Sequence, residues 1–177
     1  MLRFSYLFLL SLLAFTFTAC GGDDDVTPNE ETSLIVGTWR ATSGTQVGTS
    51  STTFGGMDID IDFTTRLITP TDYGVVFTAN PNKVVGAGTA NLETSYNFNG
   101  SPATIETPVE LPLQSGDWEI RGDKLHLTSP GQDPYEVDIV TLNDSILMLR
   151  GTYTTTMTQA GVTATSVSDF NYSYERQ

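Results

Sequence analysis

The run Asp117-Trp118-Glu119-Ile120-Arg121-Gly122-Asp123-Lys124-Leu125-His126-Leu127-Thr128 decides the fold class. Trp118 and Ile120, then Leu125 and Leu127, alternate with polar residues, the period of two that sends successive side chains to opposite faces of a strand. Gly122-Asp123 stands between the two halves as the two-residue turn that an antiparallel hairpin needs. The stretch therefore predicts strands over Asp117 to Arg121 and Lys124 to Thr128.

The same grammar extends in both directions. Segments rich in Val, Ile, Thr, Tyr and Phe are separated by Gly, Pro, Asn and Asp, and no helical periodicity is sustained. Strands are predicted over Leu34 to Ser43, Met57 to Thr65, Tyr73 to Ala79, Lys83 to Asn91, Thr94 to Phe98, Tyr135 to Leu142, Ser145 to Met157 and Val162 to Tyr174. Asn80-Pro81-Asn82 and Asn143-Asp144 predict two further hairpin turns. Consecutive strands then pair as a meander, and a meander of 8 to 10 strands hides its edges by closing into an up-and-down β-barrel. The alternation Asp58-Ile59-Asp60-Ile61-Asp62-Phe63 fits such a wall, with carboxylates on one face and apolar groups on the other.

At the N-terminus, Arg3 precedes Phe4 to Ala19, an uncharged stretch rich in Leu and Phe. It is shorter than the roughly 20 apolar residues of a spanning helix and has the pattern of a signal peptide. Phe17-Thr18-Ala19-Cys20 resembles the lipobox of bacterial lipoproteins, in which the peptide is cut before an acylated cysteine. Residues 1–19 are thus expected to be removed and Cys20, the only cysteine in the chain, to carry the lipid that holds the protein to a membrane. Gly21-Gly22-Asp23-Asp24-Asp25 behind it resembles the acidic signal that sends some lipoproteins to the outer face of the outer membrane, with the periplasmic face as the alternative. Residues 20–33 carry almost nothing to bury and are expected to be an extended, disordered tether.

Residues 34–177 form one segment of ordinary domain size. Five of the 21 acidic residues lie in the tether and Arg3 in the leader, leaving 16 acidic against seven basic residues. That balance argues against nucleic acid as a partner, because its phosphates are neutralised by clustered Lys and Arg.

Val36-Gly37-Thr38-Trp39 at the start of the first strand resembles the Gly-x-Trp motif of lipocalin-like proteins. Val75-Val76-Phe77 before the Asn80-Pro81-Asn82-Lys83 turn, Gly116-Asp117-Trp118, and Leu125-His126-Leu127 resemble, in order and spacing, the lipocalin-like domain of small bacterial lipoproteins over most of residues 34–158. The resemblance implies a barrel with a small apolar ligand inside and a tryptophan, Trp39, at its closed end with an arginine across it, for which Arg150 is the candidate. Interior residues on this reading are Trp39, Ile61, Phe63, Phe77 and Trp118, and an eight-stranded interior either fills with side chains or holds one small ligand. The alternative is a surface scaffold that works through a protein partner, marked by a filled interior and an exposed patch.

Neither an enzyme nor a bound cofactor is expected. No Gly-x-Ser-x-Gly motif accompanies His126, the only histidine, which is expected on the solvated face with Lys124 and Thr128. Asp58, Asp60 and Asp62 share a strand face, where neighbours stand about 6.6 Å apart and cannot converge on a metal ion. Arg121-Gly122-Asp123 reads as a hairpin turn rather than a receptor-binding tripeptide. Asp144-Ser145-Ile146 resembles the short O-glycosylation motif of exported bacterial proteins and marks Ser145 as a modification candidate.

Overall fold

A computed structural model describes residues 30–98, 101–109, 113, 115–130 and 133–177. A short helix, α1 (Glu30–Ile35), leads into eleven antiparallel strands: β1 (Gly37–Phe54), β2 (Met57–Leu67), β3 (Gly74–Thr78), β4 (Lys83–Ala87), β5 (Ala90–Phe98), β6 (Ser101–Val109), β7 (Gly116–Arg121), β8 (Lys124–Thr128), β9 (Tyr135–Leu142), β10 (Ile146–Gln159) and β11 (Val162–Arg176). The Gly122-Asp123 turn joins β7 to β8 with Arg121 opposite Lys124, and the other two expected turns join β3 to β4 and β9 to β10.

Eight of these strands close a barrel. Running round it, β1 pairs with β3, then β4, β7, β8, β9, β10 and β11, and β11 returns to β1. The plain meander expected from the turns is therefore interrupted twice: β1 passes over β2 to reach β3, and β4 passes over β5 and β6 to reach β7. The three omitted strands build a second structure. β1 runs for 18 residues, its first four beside β3 and residues 45–54 beside β2, while β11 accompanies it along the other side from Trp39 to Thr52. With β10 outside β11 and β5 and β6 outside β2, a six-stranded extension in the order β6-β5-β2-β1-β11-β10 projects from one end of the barrel. Strand β6 was missed in the sequence because Pro102 and Pro108 bracket it, and proline is confined to edge strands.

The bend in β1 comes from a β-bulge. Ala41 faces Tyr174 and Ser43 faces Ser173, so Thr42 is the extra residue, and its hydroxyl donates to the Ser173 carbonyl at 3.2 Å. The bulge shifts the alternation by one. Trp39 and Ala41 before it, and Gly44 after it, are all buried.

The barrel interior is filled by Trp39, Val75, Phe77, Val84, Leu125, Leu127, Val137, Leu147, Leu149, Tyr172 and Tyr174, each at most 1% exposed. Burying one such side chain contributes about 1.5–3 kcal/mol, so this layer is the main source of stability. Gly44 is a packing requirement: a methyl group there would collide with the Tyr172 ring.

Helix α1 corrects one expectation. The stretch read as tether to Ser33 is helical from Glu30, because the helix delivers Ile35, wholly buried, to the end of the barrel. A second correction concerns Ile61 and Phe63. They lie on the part of β2 that pairs with Ser50 and Gly48 in the extension, not in the barrel interior, and both are only partly buried.

Candidate functional site

The two ends of the barrel differ in chemistry. At the closed end Trp39 donates its indole N–H to the Ile35 carbonyl at 2.8 Å. The Arg176 guanidinium lies 4.3 Å from the centre of the Trp39 ring, a cation–π contact. The same group donates to the carbonyls of Val36 at 2.8 Å, Asp144 at 2.8 Å and Leu34. The bonds to Leu34 and Val36 satisfy carbonyls at the end of α1 that have no partner within the helix, and the bond to Asp144 ties the same group to the β9–β10 turn. Gly37 must be glycine here: its φ of 144° lies in the region side chains avoid, and a Cβ would strike the guanidinium. The arginine across the tryptophan is thus Arg176, not Arg150. Arg150 points outward, is exposed, and pairs with Asp138 at 3.4 Å.

Phe77 and Trp118 are buried, their rings edge to face at 5.7 Å and 84°. The Trp118 N–H is shared between the carbonyls of Thr78 at 3.0 Å and Lys83 at 3.1 Å, which ties β7 to the β3–β4 hairpin. His126 lies on the outer wall with Nδ1 3.1 Å from Glu136. Beside it Lys124 donates to Asp138 at 2.7 Å, and that bond holds the Asp138 carboxyl below its ordinary range, with Arg150 adding a smaller effect.

At the other end the barrel opens onto the extension. Residues paired directly across antiparallel strands share a face, so one row runs Tyr153, Ser168, Gly48, Phe63, Tyr96 and Ala103, and the next Thr155, Ser166, Ser50 and Ile61. Phe54, Met57, Ile59, Ile105 and Met157 fall on the same face by the period of two. This face continues the inner wall of the barrel through Phe170 and Tyr172, whose rings stand 5.8 Å apart. Its apolar groups cluster on β2 and β5, with the Phe63 and Tyr96 rings 6.3 Å apart, and at the tip, while Ser50, Ser166 and Ser168 line its middle, Ser166 donating to Ser50 at 3.0 Å. Phe54, Met57, Ile105 and Met157 are 53–70% exposed on it.

The opposite face is hydroxyl-rich and acidic. Asp58, Asp60 and Asp62 lie there, exposed, and the first and last accept hydrogen bonds from Thr53 at 2.7 Å and Thr49 at 2.8 Å. Among the described residues no three His, Cys, Asp or Glu side chains are grouped to hold a metal. A groove of about 620 Å³, open to solvent, crosses β1, β2, β5 and β6 beside Val47, Thr49, Asp62, Ser95 and Asn97.

Under this face, among the described residues, lies one orphaned polar group. The Tyr172 hydroxyl is buried and makes no hydrogen bond of proper geometry. Burial pushes its pKa well up, and the approach of the Gln46 side chain only partly offsets this. A buried hydroxyl left unpaired costs about 1–3 kcal/mol, so such groups in native proteins usually serve a purpose. The sequence predicts a strand here, yet neither Tyr172 nor Arg176 is among the residues it singles out. The alternation Phe170-Asn171-Tyr172-Ser173-Tyr174 was the available signal.

Ser145 is exposed in the β9–β10 turn, where Asn143 Oδ1 accepts the backbone N–H of Ser145 at 2.9 Å and of Ile146 at 2.8 Å. Cys20 and the run Asp23, Asp24 and Asp25 lie outside the described residues. Comparison with curated proteins and with solved structures returns no significant match. A family model described as a lipocalin-like domain matches residues 35–149, from the end of α1 into β10 and short of β11. With that match covering more than half of the sequence, and with a closed eight-stranded antiparallel barrel beneath it, the chain belongs to the lipocalin-like domain family.

Proposed function

We propose that the protein is a lipid-anchored binding protein that takes a small apolar ligand at the mouth of its barrel, against the apolar face of the extension. The Tyr172 hydroxyl carries this reading. A site for a small apolar molecule is mostly hydrocarbon with a few placed polar groups, and an unpaired buried hydroxyl beneath an apolar wall is such a group. The mouth, rather than the barrel centre, is the place for the ligand because the centre is occupied by Trp39, Phe77, Leu125, Leu147 and Leu149. The role is binding, not catalysis.

Cys20 carries the lipid on this reading, and Asp23 to Asp25 direct the protein to the outer face of the outer membrane. Support comes from the leader pattern and from geometry. The chain enters the barrel at its closed end, and β1 at about 3.3 Å per residue carries the tip of the extension about 55 Å away, an arrangement compatible with an anchor on the N-terminal side. Metabolic labelling with an alkyne fatty acid tests the anchor: Cys20→Ser should lose the label, and equal labelling would end the lipoprotein reading. O-glycosylation of Ser145 would appear as an intact-mass increment absent from Ser145→Ala.

Ligand binding is tested by native mass spectrometry of protein from its own source and by titration with an anilinonaphthalene probe. Saturable binding should weaken in Tyr172→Phe and be blocked by Gln46→Trp at the mouth. Binding that survives both changes would move the site elsewhere. The exposure of Phe54, Met57 and Met157 near the tip favours a second reading, a scaffold that meets a protein partner there. On that reading the probe finds no saturable site.

A further inference from the structure

Among the described residues the extension has two free edges of opposite character. Strand β6 ends one side and carries Pro102, Glu106 and Pro108, residues that block the addition of another strand. Strand β10 ends the other. It pairs with β9 only from Leu147 to Arg150, and beyond that it has no partner on its outer side among the described residues. From Gly151 to Ser168, the whole outer part of the β10–β11 hairpin, the chain contains no Asp, Glu, Lys, Arg or Pro. This gap stands in a chain of net charge −13. Unpaired backbone donors and acceptors on an uncharged edge are a template for another strand.

The sequence of that edge is self-complementary. Centred on Thr155, an antiparallel pairing of β10 with itself sets Thr152 against Thr158, Tyr153 against Met157, and Thr154 against Thr156. Thr–Thr pairs are favourable across antiparallel strands, and a thioether against an aromatic ring is a favourable contact. The two-fold axis stands perpendicular to the sheet, so the apolar faces of both extensions lie on one side and Met157, 70% exposed in the single chain, gains the partner's tyrosine. Two copies as acidic as this repel each other over most of their surfaces, and the neutral hairpin is where they approach without like charges meeting.

We propose that β10 is a homodimerisation edge, occupied by β10 of a second copy of this chain in the register centred on Thr155. The full chain in its own membrane tests the register, with the native chain, whose only cysteine is Cys20, as background. Opposed Cα atoms of antiparallel strands stand about 4.5–5.5 Å apart, within the span a disulfide bridges, so Thr155→Cys should give a disulfide-linked pair on mild oxidation. Thr154→Cys, displaced from its copy by two residues, falls beyond about 7 Å and should cross-link less by an order of magnitude or more. In detergent, Thr155→Lys should convert a sedimenting dimer into single chains, because it sets two ammonium groups face to face; Thr155 is exposed, so the change leaves the fold intact. Equal cross-linking at 154 and 155, a disulfide to a different protein, a monomeric native chain, or a dimer indifferent to Thr155→Lys would each overturn the proposal.

Discussion

Replacing Arg176 with alanine removes three things at once from the closed end of the barrel. The guanidinium over Trp39 is worth about 1 kcal/mol at a site half shielded from water. Its bonds to the carbonyls of Leu34 and Val36 are charge-assisted and partly buried, and after allowing for water that replaces them they are worth about 1 kcal/mol each. The bond to the exposed Asp144 carbonyl adds little. The sum is about 3 kcal/mol, and with a urea slope of about 2 kcal/mol/M the unfolding midpoint should fall by about 1.5 M. Hydrogen exchange should speed up first at the amides of α1, which the guanidinium ties to β11. Arg176→Lys keeps the charge but loses the planar fork, and should recover less than half of the loss. Arg150→Ala is the control. It removes only an exposed, solvent-screened ion pair and should leave the midpoint almost unmoved. An Arg176→Ala chain as stable as the native one, or an Arg150→Ala chain that loses more, would refute the assignment of the closing pair.

Gly44→Ala should cost about 1–3 kcal/mol in thermal or urea unfolding, since the Tyr172 ring occupies the place of the added methyl. Val75→Trp should cost a similar amount through overpacking, whereas Ile61→Trp, on the open extension, should stay within about 0.5 kcal/mol of the native chain; a large loss at Ile61 would return β2 to the barrel interior. Burial pushes the Tyr135 phenol up to about 12 and raises those of Tyr172 and Tyr174 as well, so the folded state favours the neutral forms. Their contribution is complete below the ordinary tyrosine value of about 10 and is lost as pH rises through the folded values, so urea midpoints should hold to about pH 10 and then fall. Phenolate absorbance that rises fully near pH 10 without unfolding would contradict this.

The all-β class and the hairpins were legible from local chemistry. Alternation and turn residues act within a few positions, so Gly122-Asp123 specifies its hairpin whatever surrounds it, and the order of motifs from Trp39 to Leu127 carried the family. Trp39, Phe77 and Trp118 were placed inside because large aromatic residues on one strand face have few other places to go. Which strands share a barrel was decided only in three dimensions. The run Ile59-Asp60-Ile61-Asp62-Phe63 alternates as well as any barrel strand, and a period of two says that one face is apolar, not against what it packs. The bulge at Thr42 and the length of β1 divert β2, β5 and β6 from the barrel, and neither leaves a local mark strong enough to read. The partner of Trp39 was hidden for the same reason: Arg150 and Arg176 both lie on late strands, and only the closure of β11 onto β1, a pairing across most of the domain, brings Arg176 over the ring and leaves Arg150 outside.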